Sequence, residues 1–266
     1  MAITGRARKT ARVRWTRDAG PVVTVARRGI VSDLSDGAGD ALAGASSRGV
    51  ATIGLTRHLR DVERRGGEEA TAVGLNAALV RAVALAGLAH DLGKADPRFQ
   101  LMLHGANPYR YELADEPLAK STGGQSSFHE RQREQKASGW PMGMRHEAVS
   151  AALVQALLRE RPSLFDGIDA DLVVHLVGTH HGRGRPLLPG VLDPDPQKVR
   201  ASLPSHGSHG DSDVAVQSDE GIVDWDQPAR FDRLNRRYGR WGLALLESLL
   251  RLADMVVSEG YEREKP

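Results

Sequence analysis

The neighbouring residues His90 and Asp91 are the first candidates for chemistry in this sequence. They lie at the end of an apolar helical stretch, and Gly93 and Lys94 follow them closely. An imidazole and a carboxylate that stand side by side where a helix ends can bind one metal ion, and the carboxylate can bridge to a second. Because a buried imidazole and a buried carboxylate both need partners, the pair indicates the metal site of an enzyme.

Four further histidines could complete this site. His58 lies in a predicted first helix, and His146 begins a predicted helix in which Glu147 could orient its imidazole. His180 and His181 end another apolar helix, where neighbouring side chains can converge on one ion. Taken singly, His58 and His146 are also compatible with surface positions. We interpret His175 as structural and the other histidines as solvated: His104, His129, His206 and His209.

Asp254 interrupts an apolar helical face. At 100° per residue it falls on the same side of the helix as four aliphatic residues, which are Leu243, Leu246, Leu250 and Val257. A carboxylate on such a face costs several kcal/mol unless it is paired or binds a metal. Asp254 is therefore predicted to be a metal ligand, and the alternative is a buried salt bridge, for example to an arginine.

The elements that must position these residues are mainly helical. Aromatic residues make up only 5% of the chain, so the core must consist of Leu, Val and Ala, which favours helices. Gly66-Gly67 is predicted to separate the first two helices, and Gly93 to end the second. Residues 104–143 and 183–227 are predicted to be two long loop insertions. Apolar periodicity predicts helices over 52–65, 68–92, 97–103, 144–161, 169–181 and 238–259.

The N-terminal residues 1–47 lack the helical periodicity of the rest of the chain. Two strand-like runs, 13–15 and 22–25, predict a small β-hairpin, and a segment rich in Gly, Ala and Ser follows. We interpret residues 1–47 as an extension or linker and residues 48–266 as one domain. The predicted fold class is all-α, a helical bundle with two long loop insertions and a small N-terminal hairpin.

The composition excludes several kinds of site and location. The chain has no cysteine, so disulfides, thiolate metal sites and cysteine nucleophiles are excluded. A metal held only by His, Asp or Glu is more readily manganese, iron, cobalt or nickel than magnesium. No apolar run approaches the roughly 18 residues of a membrane span. Residues 1–17 lack the apolar core of a signal peptide. We expect a cytoplasmic protein with no membrane partner.

The order of the candidate residues resembles that of the HD phosphohydrolase superfamily. His90-Asp-Leu-Gly-Lys-Ala-Asp-Pro-Arg-Phe-Gln100 is similar to the HD segment of the CRISPR-associated Cas-three nuclease. Arg145-His146-Glu147 and the run from His180 to Pro186 resemble two further motifs of that family. The stretches 118–121 and 138–141 are most similar to the type I-G (formerly I-U) variants. The chain has no Walker-type loop, so we expect a stand-alone nuclease subunit or an excised HD domain.

The resemblance implies a site with two divalent transition-metal ions. One ion would be held by His58, His90, Asp91 and Asp254. The other would be held by Asp91, His146, His180 and His181, with Asp91 as the bridge. His90, Asp91 and Lys94 are the predicted catalytic residues, and Lys94 would either contact the scissile phosphate or pair with a ligand carboxylate. Arg183 and Arg185 are predicted to bind the substrate strand.

The resemblance also implies a function and partners. It predicts a nuclease that cleaves mainly single-stranded DNA in type I CRISPR antiviral interference, with a helicase subunit or domain and the guide-RNA surveillance complex as partners. Two alternatives stay open. The same ligands would serve an HD phosphohydrolase that acts on a dNTP or a cyclic nucleotide. A metal-stabilised scaffold without hydrolytic activity would need only one closed metal site.

Overall fold

The structure is a computed structural model, and it describes residues 10–16, 20–26, 48–49, 52–122, 127–221 and 223–263. The chain divides into two units, residues 1–38 and residues 39–266. In the first unit, strands β1 (Thr10–Thr16) and β2 (Gly20–Ala26) pair in antiparallel register, with Val13 opposite Val23. This pairing is the predicted hairpin. The domain boundary after residue 47 stays a prediction.

Helices carry the core of the second unit, which confirms the predicted mainly-α bundle. The core consists mostly of leucine, valine and alanine side chains, as the low aromatic content predicts. The helices are α1 (Leu55–Ala72), α2 (Ala77–Ala89), α3 (Pro97–Leu103), α4 (Pro108–Glu112), α5 (Phe128–Ser138), α6 (His146–Glu160), α7 (Ala170–Thr179) and α8 (Gln227–Arg263). Helix α1 packs on α2 and α8, and α7 packs on α2, α6 and α8. No helix in these ranges is long and apolar enough to cross a membrane.

The predicted break at Gly66-Gly67 is wrong, because α1 continues through both glycines. Gly66 is buried, and a Cβ there would lie 3.3 Å from Cγ1 of Val83 on α2. The glycine therefore serves helix packing. The chain turns instead after Ala72, where Gly74 has φ +79° and the Asn76 side chain accepts a hydrogen bond from the Leu79 amide to begin α2.

Helix ends differ from the prediction at two other places. Helix α2 ends at Ala89, and a short 3-10 turn, Leu92–Ala95, follows it. Gly93 therefore lies in that turn and does not cap the helix. Helix α8 begins at Gln227, earlier than predicted, and is kinked at Gly239, whose φ is +71°. The predicted start near residue 238 coincides with this kink.

The two insertions are more regular than predicted. The first contains α4, α5 and strand β5 (Leu118–Thr122). Strand β5 pairs in parallel with β3 (Arg48–Gly49) and in antiparallel fashion with β4 (Ile53–Gly54). The second contains an antiparallel hairpin of β6 (Lys198–Leu203) and β7 (Ser212–Gln217). The residues of β6 alternate between exposed and buried, so one face of the hairpin covers the helical core.

Candidate metal centre

The seven predicted metal ligands come from five helices and meet in one buried cluster. His58 lies in α1 and Asp254 in α8, whereas the pair His90-Asp91 directly follows α2. His146 is the first residue of α6, and the pair His180-His181 follows α7. Except at His58 and Asp254, the ligands therefore stand where a helix begins or ends. The structure brings together every residue of the predicted ligand set.

The carboxylate of Asp91 lies between two groups of histidines. Its Oδ2 is 3.3 Å from Nε2 of His90 and 3.4 Å from Nε2 of His58. Its Oδ1 is 3.0 Å from Nε2 of His146 and 3.7 Å from Nε2 of His180. Each oxygen thus faces one group, which is the arrangement that a bridging carboxylate requires.

Two histidines are held in a defined tautomer by the backbone. Nδ1 of His90 is 2.7 Å from the carbonyl oxygen of Gly87, and Nδ1 of His180 is 2.8 Å from that of Val177. Because a carbonyl can only accept, each Nδ1 must carry the hydrogen and donate it. Nε2 of each neutral ring then keeps its lone pair and faces the centre of the cluster.

A second group of donors consists of His146, His180 and His181. One nitrogen of each of these three rings lies within 4.8 Å of the other two. In the first group, one ligand atom each of His58, His90 and Asp91 lie equally close to one another. Nε2 of His181 is 3.1 Å from Nε2 of His146. Two ring nitrogens at this distance share either a hydrogen or a cation.

Asp254 contacts the first group rather than an arginine. Its Oδ1 is 3.2 Å from Nε2 of His58 and 3.9 Å from Nε2 of His90, and the Ser258 hydroxyl donates to the same oxygen over 3.2 Å. No arginine pairs with it in the described part of the chain, and its ion-pair contacts are with these two histidines. Metal ligation by Asp254 stays a prediction. Burial alone would raise the pKa of Asp254, but His58 and His90 hold it well below its usual value.

Lys94 is a partner of the central carboxylate. Its Nζ is 2.7 Å from Oδ2 of Asp91 and 3.3 Å from the carbonyl oxygen of Ala119, and only 3% of the side chain is exposed. Burial alone would raise the pKa of Asp91, but His90 and Lys94 hold it well below its usual value. Of the two roles expected for Lys94, the geometry matches pairing with a ligand carboxylate.

Burial, together with the neighbouring imidazoles, favours the neutral form of the paired histidines. Burial and the neighbouring His146 lower the pKa of His181 to about 4. Burial, together with His181 and His90, lowers the pKa of His180 well below its usual value. His90 behaves in the opposite way: burial alone would lower its pKa, but the carboxylate of Asp91 raises it.

The cluster fits divalent metal ions. The Nε2 atoms of His58, His90 and His180 and Oδ1 of Asp91 are buried and make no hydrogen bond within the described residues. Buried polar atoms of this kind are costly unless a partner such as a metal ion or water satisfies them. The donors are imidazole nitrogens and carboxylate oxygens, which bind divalent first-row transition metals well.

Close contacts between helices position the ligands, and sequence reasoning missed them. A Cβ on Gly93 would collide with the carbonyl oxygen of His146 and lie 2.7 Å from the amide nitrogen of Ser150. The Gly93 amide also donates to the Ser150 hydroxyl over 2.8 Å. A Cβ on Gly87 would lie 2.9 Å from the carbonyl oxygen of Val62. The glycines on either side of the His-Asp pair, Gly87 and Gly93, were the sequence signal for these contacts, since they let α1 and α6 approach the pair.

The remaining predicted residues lie around the cluster. Arg145 pairs with Glu147, which is buried beside His146. Burial alone would raise the pKa of Glu147, but His146, His181 and Arg145 lower it to about 2. Arg185 does not have a free guanidinium for a substrate, because its Nη1 is 2.9 Å from Oε2 of Glu247.

The helical fold and the His/Asp cluster define the class of a metal-dependent HD hydrolase. Residues 45–254 match the family described as "Cas3, HD domain". The chain therefore belongs to the HD-domain family of Cas3, the metal-dependent HD nucleases of CRISPR defence. No curated protein and no solved structure matches the chain.

Proposed function

We propose that this chain is a nuclease that cleaves mainly single-stranded DNA in type I CRISPR antiviral interference, with two divalent transition-metal ions in its active site. One observation carries the proposal. The two oxygens of Asp91 face separate histidine groups, His58 and His90 on one side and His146 and His180 on the other. A scaffold with one structural ion would not need a carboxylate in this central position.

The first ion would be held by His58, His90, Asp91 and Asp254, and the second by Asp91, His146, His180 and His181. When bound, two such ions supply a water of lowered pKa and neutralise charge on the phosphate. The residues of the chain prepare this chemistry. His90 and His180 point their Nε2 atoms at the centre of the cluster, since their Nδ1–H groups donate to backbone carbonyls. Lys94 fixes the carboxylate of Asp91 and stabilises its charged form.

The donor set also supports a choice of metal. Five imidazoles with two carboxylates favour manganese, iron, cobalt or nickel over magnesium, which prefers oxygen ligands and keeps several waters. The proposal further assigns strand unwinding to a separate helicase subunit or domain, because the sequence contains no Walker-type Gly-Lys-Ser/Thr loop. The guide-RNA surveillance complex would deliver the DNA in the cytoplasm, within a system of type I-G.

The test combines metal content with cleavage. Purified protein loaded with Mn²⁺, Ni²⁺ or Co²⁺ should contain two ions per chain and should cleave circular single-stranded DNA. The substitution Asp91→Asn should reduce the metal content to at most one ion. Because both ions lose a ligand, we expect it to lower the cleavage rate by more than the roughly 10–100-fold that loss of an outer-shell partner causes. His209→Gln changes a histidine of the β6–β7 turn outside the cluster and should alter neither quantity.

The outcomes separate the candidate functions. Cleavage of circular DNA with no hydrolysis of dNTPs or cyclic nucleotides supports the nuclease. Rapid hydrolysis of mononucleotides with intact circular DNA would assign the same site to a nucleotide phosphohydrolase. Tight binding of metal without hydrolysis of any of these substrates would identify a scaffold.

A further inference from the structure

Arg251 stands beside the paired histidines without an assigned role, and Arg183 in the same turn is a predicted substrate-binding residue. Gly182 directly follows His181, and Arg251 lies on α8 one turn before Asp254. A Cβ on Gly182 would collide with Nη1 of Arg251 and lie 3.2 Å from its Cζ. The guanidinium of Arg251 therefore rests on the backbone that follows His181. It reaches from the helix that carries one proposed ligand to the turn that carries two others.

Gly182 is suited to this contact in two ways. Its φ of +75° lies in the left-handed region that favours glycine, and its amide donates to the carbonyl oxygen of Thr179 over 2.7 Å. The missing side chain leaves the space that the guanidinium of Arg251 occupies. Arg183 follows in sequence and is exposed at the same turn.

Within the described residues, no acidic side chain neutralises the charges of these two arginines. In the described ranges, neither Arg183 nor Arg251 forms an ion pair or a side-chain hydrogen bond, and both are exposed. Their neighbour Arg185 differs, since it is bound to Glu247. Arg251 contacts the turn that follows the paired histidines and Arg183 belongs to that turn, so both positive charges come close along the chain to proposed metal ligands and can attract an anion. A guanidinium fork can bind two oxygens of one phosphate.

We propose that Arg183 and Arg251 form a phosphate-binding subsite that holds the DNA backbone next to the metal centre. This inference rests on the proposed function and deepens it, since it names the residues that bind the strand. The recognition is electrostatic and independent of base identity. The sequence predicted that Arg183 and Arg185 bind the strand. The proposed subsite contains Arg251 instead of Arg185, because Arg185 already forms an ion pair with Glu247.

The salt dependence of DNA binding tests the subsite. The full chain loaded with Mn²⁺ would be titrated with a fluorescent single-stranded oligodeoxythymidylate whose phosphorothioate linkages resist cleavage. Each arginine that contacts a phosphate contributes about 0.7 to the slope of log K against log salt for a single strand. We therefore expect Arg251→Met and Arg183→Met each to reduce the slope by about 0.7, and the double variant by about 1.4.

Three comparisons make the result specific. Arg251→Lys keeps the charge and should keep the slope. Arg159→Met removes an exposed arginine near the far end of α6, about 20 Å from His146, and should leave the slope unchanged. The metal content should be equal in all variants, because Arg183, Arg251 and Arg159 are not proposed metal ligands.

The outcomes distinguish this inference from the proposed function. Wild-type slopes in Arg251→Met would overturn the subsite even if the enzyme cleaves DNA, as would a wild-type chain that does not bind the oligonucleotide. A reduced slope in a protein that binds DNA but cleaves no substrate would support the subsite and contradict the nuclease assignment.

Discussion

At the scale of single residues, the central problem is how Asp91 keeps a charge inside the protein. Its side chain is 2% exposed, and a buried carboxylate without partners would take up a proton. Lys94 supplies one compensating charge at 2.7 Å, and the surrounding imidazoles supply polar contacts. A bound divalent cation would compensate the same carboxylate. Lys94 and a metal ion therefore both stabilise the charged form of Asp91 by placing a positive charge next to it.

This relation predicts that Lys94→Met affects the metal-free protein more than the metal-bound protein. Removing one partner of a buried ion pair costs about 3–5 kcal/mol when the other charge stays unpaired. We expect a loss of this size in the free energy of unfolding of the chelated protein. With Mn²⁺ present the loss should be clearly smaller, since the ion offsets the carboxylate charge. Urea unfolding with and without chelator measures both, and equal losses would contradict the argument.

The histidine pKa values predict a stability maximum for the metal-free protein near the ordinary histidine pKa of 6.5. The pKa of His90 is raised, so the stability it contributes is present below pH 6.5 and is lost as the pH rises through its folded-state value. The pKa values of His180 and His181 are lowered, the latter to about 4. Between pH 6.5 and about 4 the unfolded chain binds more protons at these sites, so stability falls as the pH falls.

Melting temperatures of the chelated protein between acidic and mildly basic pH would check this prediction. His90→Gln should remove the decline on the basic side, and His181→Gln should weaken the decline on the acidic side. A melting temperature that rises steadily from pH 6.5 to basic pH would be incompatible with the raised pKa of His90.

At the scale of helices, close approach places the ligands. The turn that carries Asp91 contacts the start of α6 through Gly93, whose missing Cβ leaves room for the backbone of His146 and Ser150. This contact sets the distance of 3.0 Å between Oδ1 of Asp91 and Nε2 of His146. The position of a helix start thus decides whether the second group of ligands reaches the carboxylate.

Gly93→Ala should therefore damage both folding and metal binding. A Cβ would collide with the His146 carbonyl, and backbone cannot move aside as a flexible side chain can. Overpacking of this kind costs about 1–3 kcal/mol, and the displaced His146 should lower the metal content towards one ion. Gly67→Ala is the matched control, because its Cβ would make an ordinary contact of 3.6 Å with Ala84. There we expect a gain of about 0.5–1 kcal/mol from helix propensity. Calorimetry and metal analysis of both variants would test the contrast.

The helical pattern and the residues of the His/Asp cluster could be predicted from the sequence, but the contacts between elements could not. Asp254 was detectable because a carboxylate on an apolar face has few explanations. Gly66 was misread as a helix breaker, since local propensity does not reveal that Val83 packs against it. The hairpin of β6 and β7 escaped detection for a similar reason, because its proline-rich flanks predict irregular structure.

At the scale of the second unit, the two insertions meet at one buried arginine. Nη1 and Nη2 of Arg98 in α3 donate to Oδ1 and Oδ2 of Asp193, each over 2.9 Å, and Nη2 also donates to Oδ2 of Asp96 over 2.9 Å. Its guanidinium also lies 5.7 Å from the ring centre of Trp140. Asp193 belongs to the insertion 183–227 and Trp140 to the insertion 104–143. Phe99, next to Arg98, links this junction to the metal centre through a ring contact of 5.4 Å with His146.

Arg98→Met should loosen both insertions at once. The substitution keeps the length of the side chain but leaves the buried carboxylates of Asp96 and Asp193 without their cation. We expect the free energy of unfolding to fall by about 3–5 kcal/mol, and the insertion 183–227 to become sensitive to protease before the helices unfold. Asp193→Asn in the same background should recover part of this loss, because it removes one uncompensated charge.

Arg233→Met provides the comparison for this junction. Arg233 also pairs with two aspartates, Asp171 and Asp226, at 2.8 and 2.9 Å, but its side chain is 48% exposed. Exposed pairs contribute about 0–1 kcal/mol, so its loss should be within that range. Urea unfolding and limited proteolysis of the two variants would measure the difference. Equal effects of Arg98→Met and Arg233→Met would show that burial does not decide the strength of the junction.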